Sequence, residues 1–81
     1  MTLRWLSAIR QAAKERTPTG AFAEGWLSGA YGRPAETPRE VSSRYPDMGG
    51  AEVSAYLNGV EDGTRGDQFR LRDILDAAEG R

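Results

Sequence analysis

The sequence predicts an all-α fold: a small helical bundle of three to four short helices in a single domain, with two central antiparallel helices joined by a long loop. Three observations lead there. Apolar residues recur at helical spacing in four separate segments. Proline and glycine fall at the boundaries of those segments, where they stop one helix or start the next. A chain of 81 residues has room for one modest core and for no second domain.

The first helix is expected over residues 2–16, where Leu6, Ile9 and Ala13 share a stripe with Trp5 and Ala12 beside it. Arg10, Gln11, Lys14 and Glu15 fall on the opposite, polar face, and Pro18 forbids continuation. Thr17 followed by Pro18 is an N-cap with proline at the first helical position, so a second helix is expected over 18–31, with Phe22, Trp26 and Ala30 on one stripe. Gly32 and Pro34 terminate it. Residues 33–50 hold three prolines and the pair Gly49–Gly50 and read as a long irregular loop, pinned to the core by Val41, Tyr45 and Met48. A third helix is expected over 51–62, because Val53, Tyr56, Leu57 and Val60 fall at i, i+3, i+4 and i+7 before Gly63. Asp67 offers an N-cap for a fourth over 67–79, in which Leu71, Ile74, Leu75 and Ala78 repeat the spacing; a short extended piece over 68–72 is the alternative.

Histidine and cysteine are both absent, which removes the commonest general base, the commonest metal ligands and the most reactive nucleophile together. Glu61 and Asp62 are adjacent in sequence and do not share a helix face. The expectation is a protein that is not an enzyme and holds no metal or cofactor. The lack of cysteine in so small a chain favours the cytoplasm, and no apolar run is long enough for a signal peptide or membrane span.

The net charge of −1 is unevenly distributed. Residues 1–33 carry Arg4, Arg10, Lys14, Arg16 and Arg33 against Glu15 and Glu24, a local balance of +3. Residues 50–81 carry seven acids against four arginines, a local balance of −3. One end is suited to phosphates and the other to a basic protein, unless both are ordinary solvated surface.

Gly25 and Gly29, one helical turn apart, clear a face for close approach of another helix. Two registers relate this segment to the third helix. Tyr56-Leu57-Asn58-Gly59-Val60 echoes Trp26-Leu27-Ser28-Gly29-Ala30, and Gly59, Gly63 and Gly66 alternatively match Gly25, Gly29 and Gly32.

The spacing of Ala21, Gly25, Trp26, Gly29, Gly32 and Arg33 resembles a signature of the ribosome modulation factor family, and Tyr56, Leu57 and Gly59 resemble its second, aromatic-Leu-any-Gly signature. The resemblance covers residues 21–63. It implies two antiparallel helices joined by a long loop, in short proteins that bind the small ribosomal subunit near the mRNA exit region and silence translation. The family's Cys-Pro-aromatic turn is met here only by Arg44, Tyr45 and Pro46.

Two functional expectations follow, both with a bacterial macromolecular complex as partner. In the first, a non-enzymatic protein modulates a nucleic-acid machine, by resemblance the ribosome, with Arg33, Arg39 and Arg44 on phosphates and Tyr45 stacked on a base. In the second, a phage or mobile-element protein of the anti-CRISPR type inhibits a host defence complex, and Asp62, Asp67, Asp73 and Asp76 compete for a basic channel. A homodimer joined through Trp5, Trp26 or Tyr56 is a third possibility.

Overall fold

A computed structural model describes residues 3–79, with side chains described over 6–76. The described residues form five helices: α1 (Leu3–Ala13), α2 (Pro18–Ala30), α3 (Pro38–Arg44), α4 (Gly50–Arg65) and α5 (Phe69–Glu79). No helix among the described residues is long and apolar enough to cross a membrane. Residues 68–72 are not extended: Phe69 to Arg72 already lie in α5, so the alternative reading there is corrected.

The α2 boundaries follow from local chemistry. Thr17 Oγ1 accepts the Gly20 amide at 3.1 Å, and Pro18 occupies the first turn, where its missing N–H costs nothing. At the other end Gly32 takes φ +80°, and the Gly32 and Arg33 amides donate back to the Gly29 and Ser28 carbonyls, both at 3.0 Å. The end of α4 repeats this arrangement: Gly66 takes φ +71°, and the Gly66 and Asp67 amides donate to the Gly63 and Asp62 carbonyls at 3.1 and 2.8 Å. The expected stop at Gly63 is therefore corrected by one turn; Gly63 is an interior, buried residue of α4.

The long loop expected over 33–50 contains α3. Thr37 and Glu40 form a reciprocal capping box, in which Thr37 Oγ1 accepts the Glu40 amide and Glu40 Oε1 accepts the Thr37 amide, with Pro38 between them. That motif was present in the sequence but hidden in a proline-rich stretch. Val41 is fully buried, and Tyr45 and Met48 pack beside it, so these three residues do pin the connection.

The central pair is α2 and α4, and it runs parallel, which corrects the antiparallel expectation. Gly25 abuts the Tyr56 backbone, and four residues on Gly29 abuts Val60 and Thr64. From the other side Gly59 abuts Phe22 and Trp26, and Gly63 abuts Trp26 and Ala30. Numbers rise together on both helices. Residues 31–49 are long enough to carry the chain back beside α2, whose 13 residues span about 20 Å.

These contacts decide the register as well. Gly25, Gly29 and Gly32 map onto Gly59, Gly63 and Gly66 by a constant shift of 34 residues. The same shift maps α3 onto α5 and buried Val41 onto buried Leu75; α3 packs on α4 while α5 packs on α2. The result is two helix–glycine turn–helix units related by a pseudo-two-fold axis. Two clusters flank the pair: Ile9, Phe22, Ala23, Trp26, Leu71 and Leu75 on one side, and Ala21, Val41, Val53, Tyr56 and Val60 on the other.

The additional helix, α1, covers only the first cluster. Gly20, Leu27 and Ile74 lie beneath or beside it, whereas their equivalents across the axis are Ser54, Glu61 and Glu40, all exposed. The second side is polar where the first is apolar, so it needs no covering helix.

Candidate functional site

With α4 on one side of α2 and α1 on another, a strip of α2 stays open to solvent. Thr17, Ala21, Glu24, Ser28 and Tyr31 recur at alternating four- and three-residue steps and line the floor of a groove of about 880 Å³. Arg10, Ala13 and Lys14 of α1 form one wall, and Tyr45, Met48 and Glu52 form the other. Arg33 and Pro34 close the end nearest the α2 C-terminus.

The charges in this groove fall into tied and free groups. Glu24 Oε1 accepts the Tyr45 hydroxyl at 3.2 Å, Glu52 caps the Gly49 amide, and Arg16 is paired with Asp47. Burial and the nearby Glu24 carboxylate push the Tyr45 phenol above its usual range, so the hydroxyl stays protonated and keeps donating. Arg10, Lys14 and Arg33 are exposed and have no ion-pair partner among the described residues; Glu15 is the untied acid of the lining. Tyr31, with 68% of its surface exposed, lines the same groove at the α2 C-terminus, two residues before Arg33. Tyr31 and Phe69 are the two large hydrophobic residues left exposed among the described residues.

Of the residues expected to contact nucleic acid, Arg33 and Tyr45 meet in this groove. Arg44 does not. Its guanidinium donates to Glu36 and, at 2.5 Å, to the Tyr56 hydroxyl, which in turn donates to Ser28 Oγ at 3.0 Å. It also lies 4.9 Å from the centre of the Tyr45 ring. Burial, the largest single influence, works against the charge of Arg44, but Glu36, Tyr45 and Tyr56 together outweigh it and raise the guanidinium above its ordinary value. The arginine expected on a phosphate is thus a bolt between α3 and α4. Arg39 stands exposed on α3 without a partner among the described residues and does not line the groove.

The acidic set is dispersed. Asp62 is 1% exposed and accepts bonds from Arg65 at 2.9 Å and from Arg70 at 2.8 and 2.9 Å, so it faces no solvent and no partner. Asp67 accepts the Phe69 amide at the start of α5, and its carbonyl accepts the Trp26 indole at 2.8 Å. Only Asp73 and Asp76 remain exposed and uncommitted, which corrects the expectation of a four-carboxylate surface. Of the residues expected to join a homodimer, Trp26 and Tyr56 are 2% and 0% exposed and belong to the core, while the Trp5 side chain lies outside the described residues.

Compared with protein-family models, with curated proteins and with solved structures, the chain matches none. The site therefore rests on its own geometry. Arg10 and Lys14 belong in the sequence to the polar face of α1 and to the basic segment 1–33, but nothing there singles them out as site residues. Their place in one groove with Tyr31 and Arg33 is a relation between segments that no local pattern encodes.

Proposed function

We propose that this chain is a non-enzymatic binding protein that engages the RNA of a bacterial nucleic-acid machine through the groove along α2. The observation that carries this reading is a groove lined by three unpaired cations, Arg10, Lys14 and Arg33, and by exposed Tyr31. Cations next to a free aromatic face are what unpaired RNA needs: phosphates meet the charges and a base meets the ring. The charges work locally, which fits a chain whose net charge is only −1.

The resemblance to ribosome modulation factors makes the ribosome the first machine to test. The parallel α2–α4 pair does not share the antiparallel arrangement that the resemblance implies, so the reading stands on the groove. The burial of Asp62 and the capping role of Asp67 leave the inhibitor reading with Asp73 and Asp76 as its uncommitted acids.

The test is capture of partners from bacterial lysate with tagged protein, with and without nuclease and at two salt concentrations. RNA-dependent, salt-sensitive recovery of ribosomal proteins is expected. Recovery of a defined protein complex indifferent to nuclease would reject the proposal.

A further inference from the structure

We infer that the groove along α2 takes a single-stranded RNA segment, with one base stacked on Tyr31 and the flanking phosphates held by Arg33 on one side and by Lys14 and Arg10 on the other. This deepens the proposed function and rests on it. Three features of the groove favour a strand over a duplex.

The first is shape. The floor is a strip of one helix walled by α1 and by the segment from Tyr45 to Glu52, a concave channel that admits a chain, whereas a duplex presents a convex face with phosphates along both edges. The second is the ring. Tyr31 exposes 68% of its surface, and a base in a duplex has both faces covered by its neighbours, so a free tyrosine face is useful only to an unstacked base. The third is the number of charges. With three untied cations against one untied acid, Glu15, the site can neutralise about two to three phosphates, enough to hold a short strand in register and few for a duplex bound by charge alone. The strand runs along the floor from Tyr31 and Arg33 at the α2 C-terminus toward Arg10 and Lys14 on the α1 wall.

The experiment is fluorescence anisotropy with labelled oligouridylate of about twelve nucleotides and an RNA duplex of the same length. It uses the full chain and the Tyr31→Ala, Tyr31→Phe and Arg33→Glu variants, with circular dichroism checking that each is folded. The single strand should bind at least roughly tenfold more tightly than the duplex, and Tyr31→Ala should weaken it roughly tenfold while Tyr31→Phe retains it. The slope of log affinity against log salt should be about −2, and Arg33→Glu should make it shallower. Equal affinity for duplex and strand, or strand binding indifferent to Tyr31→Ala, would overturn the inference while leaving the RNA reading intact. Failure of the unaltered chain to bind either RNA, together with loss of RNA-dependent capture from lysate, would overturn both.

Discussion

Gly29 and Gly63 make the same contact from opposite sides of the central pair: Gly29 lies against the backbone of Val60 and Thr64, and Gly63 against that of Trp26 and Ala30. A Cβ at either position would lie under 3.0 Å from backbone atoms of the facing helix, and backbone cannot swing aside as a side chain can. Replacing Gly63 by Ala adds about 1 kcal/mol of helix propensity but forces the pair apart, for a net loss of about 2 kcal/mol or more. Gly50, with nothing within 4 Å, is the control. Urea denaturation should show Gly63→Ala strongly destabilised and Gly50→Ala unchanged or slightly more stable.

This contact also explains which parts of the fold were legible in the sequence. The four longer helices were, because each carries its own stripe of apolar residues and a cap or breaker at its ends, all local features. The direction of α4 relative to α2 was not, since a glycine stripe permits close approach in either direction and only the length of the connection allows the parallel one. α3 escaped notice because seven residues with a single buried side chain, Val41, make no stripe; its capping box, Thr37 with Glu40, was the remaining signal. Among candidate site residues, Arg33 is legible through the Gly32-Arg33 pair on which the family resemblance rests. Asp62 and Arg44 differ from their expected roles because a charge on a helix looks the same in sequence whether it faces water or another side chain.

Asp62 should be the carboxylate whose loss matters most to stability. It is 1% exposed and anchors Arg65 and Arg70, linking the end of α4 to α5. The Asp62→Ala variant loses charge-assisted bonds whose partners remain half exposed and can be rehydrated, so the expected cost is about 2 kcal/mol. Asp73→Ala, on the exposed face of α5, should stay within about 0.5 kcal/mol of the parent. Thermal melts of the two variants check the contrast.

The capping box of α3 should respond to acid. The Thr37 backbone amide, followed by the Thr37 hydroxyl, holds the Glu40 carboxyl below its usual value of 4.5. Because the folded pKa is the lower one, this contribution is present above pH 4.5 and fades as pH falls through the folded value. The Thr37 amide proton, followed by NMR, should titrate with a midpoint below 4.5. The midpoint should move back toward the ordinary value when Thr37→Ala removes the hydroxyl.

Arg44 and Arg39 sit on the same short helix and should behave differently. Arg44→Ala removes the bond to Tyr56 and leaves Glu36, whose side chain is only 13% exposed, without its cation, so a loss of about 1–3 kcal/mol is expected. Arg39→Ala, exposed and unpaired, should leave both stability and RNA binding as they were. Denaturation together with RNA titration of the two variants distinguishes a structural arginine from a surface one.

Ribosome and RNA binding by the triple variant Arg10→Glu, Lys14→Glu, Arg33→Glu is the most direct test of the groove as the working surface, because these three exposed side chains hold no helix in place. The folded triple variant should lose co-sedimentation with ribosomes and binding to single-stranded RNA together. A folded triple variant that still binds as the parent does would show that the groove along α2 is not where this protein meets its partner.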